Sequence, residues 1–177
     1  MRQWVDSPQK QSNNSGVGAL LIAATILLGL TSCKTEAVSS AFESPKATID
    51  TLFRAYDVRD VPQTEIRRRL QARERFELVD ENLFRSCFTD WQGEHDQGLG
   101  GFVFGQLVAA KDELTIDVKE NTARVRASSS APELPPIVLI KQDAGWKIDL
   151  RQSVPPDIRQ RLYEVYRHAR RGERQAR

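Results

Sequence analysis

The residue types best suited to metal binding or proton transfer occur together once, as Glu94, His95 and Asp96, with Asp90 close by in the chain. Imidazole and carboxylate groups are zinc ligands and can act as general acids or bases. Adjacent residues in a loop do not make a coordination sphere, and the other histidine, His168, lies in the basic C-terminal segment. A zinc site needs three or four converging ligands, so we expect no metal site, no catalytic site and no cofactor.

A glycine-containing stretch, GLGG at residues 98–101, follows this triplet. Phosphate-binding loops use glycines before a helix, whereas residues 92–101 are typical of a loop that no helix follows. The sequence also lacks the H-E-x-x-H motif of zinc proteases and the G-x-S-x-G motif of serine hydrolases. These patterns therefore nominate no catalytic residue.

Two cysteines, Cys33 and Cys87, are the remaining candidates for covalent chemistry. Cys87 falls on a predicted helical stripe with Phe84 and Phe88, so we interpret it as a small buried hydrophobic residue with a free thiol. Its basic neighbour in the sequence is Arg85, which is weak support for a reactive thiolate. Cys33 stands in a different setting, at the end of an apolar segment.

The segment before Cys33 has the layout of an export signal. Arg2 and Lys10 against Asp6 make its start mildly basic, and residues 11–32 carry no charge. Within that stretch, residues 17–30 (VGALLIAATILLGL) form an apolar run of 14 residues. A membrane-spanning helix needs about 20 apolar residues, so this run is typical of the central region of a signal peptide. An uncleaved membrane anchor with an incidental cysteine is the alternative.

Leu30, Thr31, Ser32 and Cys33 follow at the end of this run. The tetrapeptide resembles the lipobox of bacterial lipoproteins, in which an aliphatic residue and two small residues precede an obligatory cysteine. The resemblance implies that signal peptidase II recognises Leu30, Thr31 and Ser32 and that Cys33 carries the lipid. Residues 1–32 would then be the signal peptide and residues 33–43 a tether. The lipid would hold the mature domain at a membrane, on its periplasmic or extracytoplasmic face.

The chain beyond the tether is predicted to begin with amphipathic helices. Ser44 and Pro45 are typical of a helix N-terminus. An apolar stripe with helical spacing follows them: Ile49, Leu52, Phe53 and Tyr56. Thr64 and Asp80 are predicted to cap a second and a third helix, and the apolar face of the third extends to Trp91.

The hydrophobic period changes to two after the predicted loop. Residues 114–118 and 123–126 alternate on either side of a turn, and residues 137–142 and 146–150 do the same, which predicts two hairpins. A C-terminal helix then begins at two consecutive prolines, with an arginine-rich face opposite an apolar side: Ile158, Leu162, Val165, Tyr166 and Ala169. This order indicates an α+β fold, a curved antiparallel sheet of about four strands packed on N-terminal helices, with a C-terminal helix.

Part of this pattern resembles small secreted proteins of the nuclear transport factor 2-like (cystatin-like) superfold. The likeness covers roughly residues 45–150 and is carried by the leading helix, by FVFGQLVAA and by D-A-G-W-K-I-D-L. It implies a domain at residues 44–154 with a cone-shaped pocket, followed by a basic helix and tail at residues 155–177.

Isomerase-like relatives of that superfold pair a carboxylate base with a tyrosine or a protonated acid inside the cone. The resemblance therefore suggests Tyr56 together with Asp117 or Asp149 as candidates. The alternation in the predicted strands instead places both aspartates on the solvent face, opposite the apolar residues.

The net charge of residues 33–150, the body of the chain, differs in sign from that of the tail, residues 151–177. Residues 33–150 hold 16 Lys and Arg against 20 Asp and Glu, whereas residues 151–177 hold 8 Arg against 3 acidic residues. The body therefore has no general attraction to nucleic acid. The tail has some attraction to anionic surfaces, and we interpret its arginines as a solvated helix face.

Two hypotheses of function follow from the sequence. The first is a lipid-anchored, non-catalytic binding or interaction domain of the cell envelope, with an envelope protein or a small apolar ligand as its partner. The second is a small isomerase- or dehydratase-like enzyme that uses the cone-shaped pocket. A pocket-facing buried carboxylate would favour the enzyme.

Overall fold

The computed structural model describes residues 39–127 and 134–175, with side chains up to residue 172. The helices of this part are α1 (Pro45–Ala55), α2 (Gln63–Gln71), α3 (Glu81–Ser86), α4 (His95–Ala109), α5 (Leu150–Ser153) and α6 (Pro156–Gln175). The strands are β1 (Leu114–Lys119), β2 (Thr122–Ala127), β3 (Ile137–Gln142) and β4 (Gly145–Ile148). None of the described helices is both long enough and apolar enough to cross a membrane.

The four strands form one antiparallel sheet in the order β1-β2-β3-β4. Asp117 pairs with Arg124 across the first hairpin, and Lys141 pairs with Trp146 across the second. The predicted α+β fold, with helices, an antiparallel four-stranded sheet and a C-terminal helix, is confirmed.

Alternation along the strands decides which sheet face enters the core. Val125, Leu139 and Ile148 lie on three adjacent strands and are at most 1% exposed. They form one hydrophobic cluster with the apolar faces of α1 and α4. The same face is open at the edge of the sheet, where Val118 on β1 is 50% exposed.

The start of α1 follows the predicted capping pattern. The Ser44 hydroxyl oxygen accepts from the backbone N–H of Ala47 at 3.1 Å, and Pro45 occupies the first turn. Prolines suit this position because the first N–H groups of a helix have no partner inside it. Ile49, Leu52 and Phe53 are buried as the stripe predicted.

Helix α2 begins at Gln63 and has no capping side chain, so the predicted cap at Thr64 is wrong. A tertiary contact fixes this start instead, because Gln63 Nε2 donates to the carbonyl oxygen of Ala109 at 2.8 Å. Ile66 is fully buried, whereas Leu70 is 38% exposed. Only the first of these two residues therefore anchors α2 to the core.

Helix α3 is capped as predicted but is shorter than its apolar stripe. Asp80 Oδ1 accepts from the N–H of Leu83 at 2.8 Å. Beyond Cys87 the chain pairs with the edge of β4, because Ile148 donates to the Cys87 carbonyl at 2.8 Å and accepts from Thr89 at 2.9 Å. The prediction that the helix continues to Trp91 is wrong, since these interstrand bonds replace helical ones.

Helix α4 overturns the prediction that residues 92–101 form a loop without a following helix. It begins at His95 and includes the GLGG stretch. Each helical glycine costs about 0.5–1 kcal/mol relative to alanine, so local propensity disfavours this helix. Leu99 and Val103, which are 1% and 0% exposed, supply the compensating burial.

The last strand ends two residues earlier than predicted. Asp149 leaves the sheet and caps α5, its Oδ1 accepting from the Gln152 N–H at 3.0 Å. The Ser153 hydroxyl then accepts from the N–H of Val138 at 2.9 Å and donates to its carbonyl oxygen at 3.3 Å, which satisfies the edge of β3 beyond the end of β4.

Helix α6 begins at Pro156, close to the position that the two prolines predicted. Ile158, Leu162 and Tyr163 pack against the core. Val165, predicted on the packed side, is 66% exposed, so the contact face is narrower than expected.

Candidate apolar binding groove

A groove with a volume of about 570 Å³ lies between α4 and the sheet. Phe102 and Leu107 contribute apolar walls from α4, and Leu114, Val125 and Ile137 contribute them from three strands. Small-molecule sites commonly have volumes of roughly 300–1,000 Å³ and mostly apolar linings with a few polar groups. The groove therefore has the size and the lining of a site for an apolar molecule.

The space in the groove exists because small residues of α4 face it. Gly105 and Ala109 lie one helical turn apart and both line the groove. A Cβ placed on Gly105 would meet no atom within 4 Å. Gly101, one turn earlier, is equally unobstructed but is not part of the lining. A larger side chain at position 105 would therefore occupy the groove without a clash at its Cβ.

Two polar side chains stand out in this lining. Among the described lining residues, Arg126 has the one charged side chain and Gln106 the one side-chain amide. The Gln106 Nε2 atom is shielded from water and has no hydrogen-bond partner among the described residues. A buried donor without an acceptor costs about 1–3 kcal/mol. Arg126 is exposed and shares the solvent face of β2 with Arg124, opposite the buried Val125, so its guanidinium points away from α4.

One end of the groove is formed by Ala127 and Leu134. These residues flank residues 128–133, which lie outside the described part of the chain. Leu134 is 40% exposed, so apolar surface continues to the mouth of the groove.

The predicted lipid-attachment site, Cys33, and the predicted peptidase-recognition residues Leu30, Thr31 and Ser32 all lie outside the described residues. The assignment of these four residues stays a prediction from the sequence.

The acidic triplet at the start of α4 serves to attach helices to one another. Asp96 is 5% exposed, its Oδ2 accepts from the Gln92 N–H at 2.7 Å, and its Oδ1 lies 3.5 Å from His95 Nε2. Burial of the Tyr163 phenol, and next the charge of Asp96, raise the pKa of Tyr163 on α6. The Asp96 carboxylate therefore has a structural role: it binds the backbone at the start of α4 and lies next to Tyr163 of α6.

Glu94 is directed to a different part of α6. Its Oε2 accepts from the Tyr166 hydroxyl at 3.2 Å and lies 3.5 Å from a guanidinium nitrogen of Arg170. Across residues 39–127 and 134–175, no three His, Cys, Asp or Glu side chains are grouped so that they could hold a metal ion.

The three candidates suggested by the isomerase likeness have separate surroundings. The Tyr56 ring stacks on Phe104 at a centroid distance of 3.6 Å, and burial raises the pKa of Tyr56 to about 12. Asp117 is exposed on β1, in register with Arg124. The Asp149 carboxylate accepts two hydrogen bonds from Gln152, one from its backbone N–H and one from its side-chain amide. None of the three is among the described residues that line the groove.

Cys87 is a buried free thiol, as predicted. It is 0% exposed, and its Sγ lies 3.3 Å from the carbonyl oxygen of Leu83. Burial raises the pKa of the Cys87 thiol to about 12, and the nearby Lys147 ammonium lowers it by a smaller amount. The thiol is therefore protonated at neutral pH and unsuited to nucleophilic attack.

The sequence did not identify Gly105, Gln106 or Arg126 as site residues. Their one available signal was the polar Gln106 inside the apolar FVFGQLVAA run. That signal is informative only if the segment is predicted to be helical, and the four nearby glycines disfavour that prediction. Arg126 belongs to a strand twenty positions later in the sequence.

Comparisons with known proteins give no match: no family model, no curated protein and no solved structure is significantly similar to this chain.

Proposed function

We propose that this protein is a lipid-anchored cell-envelope protein whose α+β domain is a non-catalytic binding module. The membrane holds it through a lipid on Cys33, and the groove between α4 and the sheet is its binding site. The partner is a small apolar molecule.

The groove is the observation that supports binding. Its volume of about 570 Å³ and its mostly apolar walls suit an apolar ligand. Proton transfer would call for a carboxylate or an imidazole, and none of the described lining residues carries either group. The lining therefore gives more support to binding than to the isomerase- or dehydratase-like alternative.

The lipid anchor is supported by three coinciding features of the sequence: a mildly basic start, a 14-residue apolar run and the residues LTSC at its end. Each buried methylene of an acyl chain contributes about 0.8 kcal/mol to membrane attachment. Two or three chains therefore anchor a domain stably without a membrane-spanning helix. This proposal places the domain on the periplasmic or extracytoplasmic face.

Replacing the lipidated cysteine tests the anchor. We expect Cys33→Ser to move the protein from the membrane fraction or to block its processing, because serine offers no thiol for lipid attachment. Mass spectrometry of the wild-type N-terminus should find a lipid-modified residue 33. Cys87→Ala is the matched control, since it removes the other cysteine and should leave membrane association unchanged. An unmodified soluble product that begins at another residue would refute the anchor.

Photolabelling tests the groove. We would use the purified full chain in phosphatidylcholine vesicles with an uncharged long-chain alcohol that carries a diazirine. The label should map to peptides from α4 or β2. Gly105→Leu should suppress it by filling the groove, whereas Gly101→Leu should not. Labelling that is equal in these two variants, or absent from both elements, would contradict a binding site here.

A further inference from the structure

We propose that the second half of α6, at residues 165–171, binds an anionic phospholipid surface through Arg167 and Arg171. The partner is the headgroup layer of the membrane at which the proposed lipid anchor holds the domain. This inference rests on the membrane attachment in the proposed function and is independent of the groove.

The second half of α6 is left uncovered by the described part of the domain. Ile158, Leu162 and Tyr163, which pack against the core, all precede it. Val165 is exposed, and so is every residue from 167 to 171. A helix surface of this kind is available to a partner that lies flat against it.

Two arginines of this surface lack a neutralising carboxylate. Arg167 and Arg171 lie one helical turn apart, and neither forms an ion pair with a described residue. The nearby Glu164 carboxylate accepts a hydrogen bond from Gln160 instead. Like charges four residues apart on a helix repel each other. Solvation alone, the interpretation from the sequence, leaves this repulsion in place, whereas a layer of negative charge would relieve it.

Arg170 adds a third guanidinium to the same part of α6. One of its nitrogens lies 3.5 Å from Glu94 Oε2, so part of its charge is already balanced. Guanidinium groups bind phosphate oxygens through paired, charge-assisted hydrogen bonds. A phospholipid surface presents such phosphates as a continuous layer, and each basic residue held near an anionic layer adds favourable electrostatic free energy.

Helix α3 relates this surface to the start of the described chain. Ser86, at the C-terminal end of α3, accepts from Nζ of Lys147, and that ammonium lies over the Phe42 ring. Glu81, at the N-terminal end of α3, lines one cleft together with Arg170. The two ends are about 9 Å apart, since α3 has six residues with a rise of about 1.5 Å each. Phe42 and the basic half of α6 therefore lie on neighbouring parts of the domain.

This placement favours a membrane as the anionic partner. Ser39, the first described residue, follows Cys33 by six positions, and six extended residues reach at most about 21 Å. A lipid on Cys33 would therefore keep headgroups within reach of α6. A nucleic acid or an acidic protein would instead approach from solution, against the net negative charge of residues 33–150.

The test is hydrogen–deuterium exchange of the full chain on vesicles of phosphatidylcholine alone or of an equal mixture with phosphatidylglycerol. We expect amide exchange at residues 165–171 to be about tenfold slower on the anionic vesicles, as for two arginines held at a charged surface. The difference should vanish in about 1 M salt, which screens exposed charges. Equal exchange on both vesicles, with the chain bound to both, would overturn this proposal and leave the anchor standing. Binding to the anionic vesicles alone would refute the anchor and support the arginine contact.

Paired arginine variants sharpen the result. Arg167→Gln with Arg171→Gln should abolish the slower exchange, because glutamine keeps helix propensity and removes the charge. Arg124→Gln with Arg126→Gln is the matched control, since both arginines are exposed on the solvent face of β2 and the same two charges are lost. Slower exchange that persists in the α6 variant, with wild-type circular dichroism, would overturn the proposal. So would an equal loss in both variants, which would assign the effect to net charge.

Discussion

The ammonium nitrogen of Lys147 lies 3.1 Å from the centroid of the Phe42 ring. Lys147 is 8% exposed, and its Nζ donates to the carbonyl oxygen of Ser86. Burial lowers the pKa of Lys147, and its proximity to Cys87 partly opposes that shift. The 3-10 helix at Ser40–Phe42 is thereby attached to β4 through a charged group held over an aromatic face.

We expect this contact to appear as a coupling free energy in a double-mutant cycle. Phe42→Leu and Lys147→Met each keep apolar volume but remove one partner. Because a desolvated cation–π contact contributes about 2 kcal/mol, the coupling should be about 1–2 kcal/mol in urea denaturation. Additive effects of the two substitutions would show that the proximity contributes no stability.

The Cys87 thiol should make stability fall at alkaline pH. Its pKa is raised from 9.0 to about 12, so above pH 9 the unfolded chain loses the proton while the folded chain keeps it. The stabilisation is complete below pH 9 and is lost as the pH rises toward 12, by about 1.4 kcal/mol per pH unit.

Cys87→Ala should cost less stability at pH 10.5 than at pH 7, because it removes this titration. The measurement is the free energy of unfolding of both proteins at each pH. A difference between them that does not change with pH would contradict the prediction.

Neighbouring glycines of α4 should respond to alanine with opposite signs. A Cβ on Gly100 would overlap the Phe84 ring and crowd Phe88. Gly100→Ala should therefore destabilise the protein by about 1–3 kcal/mol through overpacking. Gly101 has no atom within 4 Å of its Cβ position. Gly101→Ala should stabilise the protein by about 0.5–1 kcal/mol, the helix-propensity difference, and equal effects in thermal unfolding would refute this packing.

Asp96 should matter more for folding than the histidine beside it. Asp96→Ala removes a buried acceptor and leaves the Gln92 N–H without its partner, which should cost about 1–3 kcal/mol. His95→Ala should cost less than about 1 kcal/mol, because the side chain is partly exposed and makes ring contacts at centroid distances of 5.5 and 6.3 Å. Equal losses of stability would point to a larger role for His95.

Phe53 should be among the most sensitive core positions. It is 2% exposed and packs edge-on against Phe104 at a centroid distance of 6.4 Å. Phe53→Ala should cost about 3–5 kcal/mol, enough to unfold a domain of ordinary stability. Leu70→Ala is the control: Leu70 is 38% exposed, and its loss should cost less than about 1 kcal/mol. Retention of the native fluorescence and circular dichroism spectra by Phe53→Ala in moderate urea would count against the assigned core.

Local signals in the sequence determined the elements whose ends depend on nearby residues. The Ser44 hydroxyl and the Asp80 carboxylate cap helices within three residues of themselves, so their chemistry is visible in the sequence. The two hairpins follow from strict alternation around short turns, because a half-buried sheet must place apolar side chains on one face. The burial of Cys87 follows in the same way from the apolar residues spaced around it.

Tertiary structure decided the elements that depend on distant partners. Helix α4 forms through four glycines because Leu99 and Val103 gain more from burial than the glycines lose in propensity. The groove likewise joins Gly105 and Gln106 on α4 to Arg126 on β2, and no local pattern predicts that meeting. A site made by packing two elements is set by the free energy of the whole core, which short-range propensities do not contain.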